Sequence, residues 1–219
     1  MTAATGQRVA IQRDNLDGRF RVVFAHGAGA GLQSDFMQFF ALGLALHDIE
    51  VVRFNFPYWQ QFMDTGKRRP PNRMPELEHC MLTVCHQFND DKPLIVMGKS
   101  MGARVAFRIA DAVQARAAIA LGYPFHPQGK PAKLRLDDLH NHCSQNLIIQ
   151  GDRDPFGKPD EVKSYTLPKN IQLAWLDSGD HSFVPTKRSG FEKSQLWQAA
   201  IDRCVRLVHN SAPLQTSNE

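Results

Sequence analysis

The sequence predicts an α/β fold in a single domain, with a mostly parallel sheet covered by helices on both faces. Two observations point there: short apolar runs alternate along the chain with longer segments of helical period, and no Gly/Ser/Pro-rich linker divides the chain. A third is size, since 219 residues suit one sizeable core. Strands buried on both faces read as nearly continuous apolar runs, and parallel strands need long crossovers, so the alternation is a βαβ pattern.

Taken in order, residues 1–20 are expected to add an antiparallel edge hairpin turning at Asn15-Leu16-Asp17-Gly18. Strands follow at residues 21–25, 51–56, 94–97, 117–121, 147–150 and 171–176. Helices are expected at residues 35–46, 75–88, 101–113 and 191–209, each bounded by Gly, Pro, Asn or Asp. The domain then spans residues 1–209, and residues 210–219 form a loose tail.

Composition excludes several classes. Hydrophobic residues at 42% and charged residues at 22% are those of a globular chain rather than a disordered or fibrous one. The longest apolar run, residues 39–46, is far short of the roughly 20 residues that cross a bilayer. The first residues hold neither an apolar export segment nor a myristoylation glycine, so a cytoplasmic protein is expected. The net charge of +4 is spread along the chain apart from Lys67-Arg68-Arg69, which disfavours nucleic acid as a partner. Cys80, Cys85, Cys143 and Cys204 show no C-x-x-C spacing and read as reduced, buried thiols. The neighbouring His and Cys residues (His79-Cys80, Cys85-His86, His140 to Cys143) lack zinc-ligand spacing, so no metal is expected.

In an open parallel sheet, ligands bind beyond the carboxyl ends of the strands. After the strand at 94–97 stands Gly98-Lys99-Ser100-Met101-Gly102, a G-x-S-x-G pattern between strand and helix. So sharp a turn needs glycine two residues before and two after the serine, and it presents Ser100 at its tip as a candidate nucleophile. A serine needs a base and an acid that orients the base. Both follow at later strand ends: Gly151-Asp152-Arg153-Asp154-Pro155 and Gly179-Asp180-His181-Ser182-Phe183, giving the order Ser, Asp, His. His181 is the expected base. Asp152 and Asp154 both qualify as the acid; Asp154 lies farther past the strand end and better reaches a histidine, leaving Asp152 as a backbone-bonded turn carboxylate.

Donors for a developing oxyanion are expected from the backbone amides of Ala28, in the loop His26-Gly27-Ala28-Gly29-Ala30-Gly31, and of Met101. His26 is read as a stabiliser of that loop, not as the base. Candidate pocket residues are Tyr58, Trp59, Phe125, Phe156 and Phe183, with Arg68 and Arg69 able to steer an anionic substrate. A dinucleotide site is the distant alternative. Gly27-x-Gly29 begins its fingerprint, but Leu32 stands where the third glycine belongs.

His26-Gly27, Gly98-x-Ser100-x-Gly102, Gly151-x-x-Asp154 and His181 together resemble the α/β-hydrolase superfamily. More narrowly, residues 25–31, 53–58, 68–71, 151–157 and 179–183 resemble one small-hydrolase family. That family includes animal testis-expressed proteins and the hydrolase-like domain of a nonspecific-lethal chromatin complex subunit, and is of dienelactone-hydrolase size. The resemblance implies a single-domain α/β-hydrolase fold and a Ser–His–Asp triad. The implied activity is a cofactor-independent serine hydrolase acting on a small ester or thioester. The 25 residues of 122–146, where larger relatives carry a lid, leave little or no lid here. The eukaryotic relatives also imply a rival reading, a catalytically silent scaffold with a protein partner.

Overall fold

A computed structural model describes residues 8–88 and 90–211. Seven strands form one sheet: β1 (Ile11–Asp14), β2 (Phe20–Ala25), β3 (Ile49–Phe54), β4 (Leu94–Lys99), β5 (Ala117–Leu121), β6 (Gln145–Gly151) and β7 (Ile171–Leu176), in the order β1-β3-β2-β4-β5-β6-β7. All neighbouring pairs are parallel except β1 with β3. The helices are α1 (Asp35–Ala45), α2 (Pro57–Thr65), α3 (Met74–Gln87), α4 (Met101–Ile109), the single turn α5 (Pro159–Val162) and α6 (Lys193–Asn210).

Strand side chains alternate between two cores. On one face Val22, Phe24, Ile95, Met97, Ile119 and Ile149 pack against Met37, Phe40 and Leu44 of α1 and Trp197, Ile201 and Cys204 of α6. On the other, Val23, Ala25, Val96, Ala118 and Ile148 meet α3 through Leu77, Met81 and Val84 and α4 through Val105 and Phe107. Five of the six parallel strands, β2 to β6, are flanked on both faces this way, β3 through Val51 on one side and Val52 on the other, which is why their sequences are continuously apolar. All four cysteines are buried and unpaired; Cys204 and Cys80 have thiols pushed up to about 12 by burial.

The expected edge hairpin is not formed. β1 is antiparallel as expected, but its partner is β3, with Ile11 opposite Phe54 and Asp14 opposite Val51. Charge explains the choice: Arg53 on β3 holds Asp14 at 2.8 Å, and Arg13 on β1 bonds Glu50 on β3. The turn at Asn15 to Gly18 therefore carries the chain past the start of β3 into β2. Residues 1–7, also placed in that hairpin, lie outside the described residues, as do 212–219 of the expected tail. Asn210 closes α6 instead of opening a tail.

A second difference is α2. The stretch after β3 reads in sequence as a long loop, yet residues 57–65 are helical. Pro57 at the first position brings a preset φ, and Gly66 ends the helix at φ 69°, with its amide bonded to the Phe62 carbonyl. Between β5 and β6 the chain forms only a three-residue 3₁₀ turn, Asp137–Leu139, so no lid helix stands there. No helix among the described residues is long and apolar enough to cross a membrane.

Candidate active site

β4 ends at Lys99 and α4 begins at Met101, so Ser100 sits in a turn one residue long. Its backbone is at φ 54°, ψ −114°, a region that costs a non-glycine residue about 1–3 kcal/mol. The flanking glycines permit it: a Cβ on Gly98 would come within 2.1 Å of the Gly102 backbone, and one on Gly102 within 2.5 Å of the Ala25 carbonyl oxygen. Beneath the elbow, Arg104 of α4 is paired with Asp138, which also receives Arg108 at 2.8 Å, tying α4 to the β5–β6 connection.

The structure brings Ser100, His181 and Asp154 into one hydrogen-bonded line. His181 Nε2 is 2.8 Å from Ser100 Oγ and its Nδ1 is 2.7 Å from Asp154 Oδ2. An ionised carboxylate only accepts, so Nδ1 carries the proton and Nε2 is left to accept from the serine hydroxyl. Asp154 is fully buried, and two further donors orient it: the Gln150 side-chain amide at 2.9 Å on Oδ2 and the Phe156 amide at 2.9 Å on Oδ1. Gly151 lets this loop meet the histidine loop, since a Cβ there would lie 2.2 Å from the Gly179 carbonyl oxygen.

His181 is held from several sides. Asp180 Oδ1 accepts from the Ser182 amide at 2.8 Å and the Val184 amide at 2.9 Å, and Trp197 Nε1 of α6 donates to the Ser182 carbonyl at 2.8 Å. Burial is the main influence on the imidazole, with the Lys99 charge next; together they outweigh the Asp154 bond and lower its pKa below the ordinary histidine value. The neutral form is therefore the resting form, as a base requires.

The Ala28 loop leads from β2 to α1. His26 is buried in it, its Nδ1 donating to the Gly27 carbonyl at 2.7 Å while Nε2 accepts from the Phe56 amide at 2.9 Å. The bond accepted from Phe56 requires a neutral ring, and burial pushes its pKa down to about 4. Tyr58 reaches the same loop, its hydroxyl 3.1 Å and 3.0 Å from the carbonyl oxygens of Gly27 and Ala28. With those carbonyls fixed, the Ala28 amide donates to no group among the described residues, and the Met101 amide, first in α4, has no intrahelical acceptor.

The aromatic candidates divide. Phe156 is half-buried with its ring centroid 4.5 Å from that of His181, beside the hydrogen-bonded line. Trp59, on α2, stands 6.0 Å from the His26 ring. Phe125 and Phe183 are fully buried and belong to the core rather than to a pocket wall: Phe183 packs near Phe36 and Phe40, and Phe125 against Tyr123 and Tyr165. Tyr58 is also buried, its hydroxyl spent on the Ala28 loop. Arg68 and Arg69 are exposed beyond α2, Arg68 over the Phe62 ring at 5.3 Å, and no contact ties either to the triad. Asp152 is not a backbone-bonded turn carboxylate, for its buried Oδ1 has no hydrogen-bond partner among the described residues. Sequence reasoning passed over Lys99 and Gln150; a lysine and a glutamine ending apolar strands were the available signals.

The profile of the alpha/beta hydrolase domain family matches residues 18–209. Among curated proteins, none is detectably similar in sequence. A lidless α/β serine hydrolase from Xanthomonas campestris superposes with a TM-score of 0.68 at 22% identity, over 94% of this chain and 90% of that one. An esterase from Pyrococcus furiosus gives 0.67 at 15% identity, over 95% and 88%. Dienelactone hydrolase from Anabaena variabilis gives 0.65 at 16%, over 92% and 94%. At such identities these likenesses establish the fold.

Proposed function

The chain belongs to the alpha/beta hydrolase domain family, and from that premise we propose that it is a serine hydrolase acting without a cofactor on a small carboxylic ester or thioester. The observation that carries the reading is the unbroken line from Asp154 through His181 to Ser100 Oγ, with both bonds under 2.9 Å. His181 Nε2 takes the hydroxyl proton as Ser100 Oγ attacks the carbonyl carbon. The carbonyl electron pair moves to oxygen, where the Ala28 and Met101 amides donate to it. His181 then returns the proton to the departing alcohol or thiol, and water repeats the cycle on the acyl-enzyme to release the acid.

The short β5–β6 connection supports an open site for small, water-soluble substrates. Trp59 and Phe156 are the apolar walls that fit this reading, and Arg68 and Arg69 would attract an anionic group. The narrower likeness to the family of testis-expressed and chromatin-complex hydrolase-like proteins, and a cytoplasmic setting, remain part of the proposal.

Labelling purified protein with a fluorophosphonate tests it. The expected adduct is on Ser100, absent in Ser100→Ala and lost in His181→Ala. Ester hydrolysis that survives Ser100→Ala sinks the mechanism. An unlabelled Ser100 in folded protein moves the reading to a silent scaffold, to be followed by a search for a stably co-purifying protein.

A further inference from the structure

Lys99 precedes the nucleophile, yet its side chain is turned inward and only 8% exposed. Its Nζ donates to the His181 carbonyl oxygen at 2.6 Å and lies 5.6 Å from the Phe36 ring centroid. It forms no direct ion pair among the described residues. The charges that face it are Asp154 from the β6–β7 loop and Asp180 from the β7–α6 loop, both acting through space, while α1 presents only the uncharged Phe36 ring. A Cβ placed on Gly122 would be 3.0 Å from Lys99 Nζ and 3.2 Å from His181 Nδ1, so the ammonium stands within about 6 Å of the imidazole.

For stability alone this is a poor arrangement. A buried cation with no bonded carboxylate loses its hydration without full return, and an apolar side chain of like length would avoid that cost. Its position has two consequences at the base. The 2.6 Å bond holds the backbone of the residue whose side chain must meet both Ser100 and Asp154. A positive charge at that distance also opposes a second positive charge on the ring. Burial brings Lys99 itself down to about 8, so it stays predominantly charged through the neutral range in which the base must work.

We infer that Lys99 is a positioning residue for the triad, pinning the His181 loop by its carbonyl and holding the imidazole in its proton-accepting form. The inference rests on the reading of Ser100, His181 and Asp154 as the reacting set. The His181 ring carbon resonance is followed against pH by NMR in the wild type and in Lys99→Met, Lys99→Gln and Lys99→Arg. In parallel, kcat/KM on p-nitrophenyl acetate is profiled against pH. In the two neutral variants, the His181 transition and the acid limb should both move to higher pH. The ratio of kcat/KM at pH 6 to that at pH 9 then falls about tenfold, and Lys99→Arg keeps the wild-type profile. Glutamine retains a donor for the carbonyl, so it separates the charge from the bond and offers a second variant if the methionine one does not fold. An unmoved His181 transition in either folded neutral variant overturns the inference, as does a loss of activity equal at every pH. If the transition moves while the wild type neither cleaves the ester nor labels at Ser100, Lys99 acts on His181 as inferred and the hydrolase reading fails.

Discussion

The two ends of the sheet use buried charge in opposite ways. At the amino ends, Glu50 is fully buried and in direct contact with three cations: Arg13, Arg21 at 2.7 Å and Lys92 at 2.9 Å, with Arg21 also held by Asp90 at 2.7 Å and by the Phe88 carbonyl. Burial alone would raise the Glu50 carboxyl; the bonds from Lys92, Arg21 and Arg13 outweigh it and hold it below the usual range. At the carboxyl ends, Asp154, His181, Lys99 and Asp180 are not neutralised pair by pair. One carboxylate touches the imidazole, the ammonium reaches a carbonyl, and the Ser100 hydroxyl lies at the end of the line. Charges that are closed on one another contribute order; charges left acting through space adjust the protonation of their neighbours. On the proposed reading the Glu50 cluster serves stability and the Ser100–His181–Asp154 line serves chemistry, and a substitution in each should damage mainly its own property.

The sharpest separation is expected at Asp154. An asparagine there would present a donor to His181 Nδ1, favouring the tautomer that cannot accept from Ser100, and would also face the Gln150 amide. Asp154→Asn should lower kcat/KM on a small ester by about 10⁴-fold with little change in unfolding midpoint. Asp152→Asn should change it by less than about threefold, because the Asp152 side chain does not touch the imidazole. The reverse ranking in steady-state kinetics would exchange the two roles.

At the other end the expected loss is in stability. Glu50→Ala leaves Arg13, Arg21 and Lys92 facing one another around a vacated buried site, a change that typically costs about 3–5 kcal/mol. Urea unfolding should show it, while kcat of the folded fraction stays at the wild-type value. A matching fall in kcat would break the division between the two ends.

How much of this could be read from the sequence follows the same line. The strands flanked on both faces, β2 to β6, announce themselves because their environment demands unbroken apolar runs. The elbow was legible because sterics leave no alternative to Gly98 and Gly102 around Ser100. Asp154 and His181 were found as polar residues just past strand ends. β1 was mispaired because Asn15 to Gly18 looks like a hairpin turn locally, whereas the partner is chosen by Arg53 and Glu50, distant in sequence. α2 was missed because nine residues give too short a window to show a helical period, although Pro57 and Gly66 marked its two ends. Phe125 and Phe183 misled because an aromatic past the end of a strand can still point into the core.

A pH effect of intermediate size crosses that division, because His26 stands at the carboxyl end of β2 and yet acts on stability. His26 has its folded pKa pushed down to about 4 against an ordinary 6.5, so below 6.5 the unfolded chain takes up a proton that the folded chain refuses. Stability contributed by the neutral ring is complete above about 6.5 and is lost as pH falls toward 4, by a total on the order of 3 kcal/mol. Chemical denaturation at pH 7 and pH 4.5 should show the loss, and His26→Gln should flatten the dependence. An unchanged slope in that variant would mean that other groups govern acid stability.

The smallest expected effect is at Phe156, where a side chain that carries no charge belongs to the chemical end. Its ring lies 4.5 Å from the His181 ring and shields it from water, while its backbone amide, which any side chain leaves in place, bonds Asp154 Oδ1. Phe156→Ala removes the shield only. Water admitted to the imidazole favours the protonated form, so kcat/KM should fall about fivefold near pH 6 and less at pH 8, with Phe156→Leu recovering most of the loss. A fall as large as that of Asp154→Asn, equal at both pH values, would instead make the ring a direct contact of the transition state. The apolar wall would then belong among the reacting groups and not only around them.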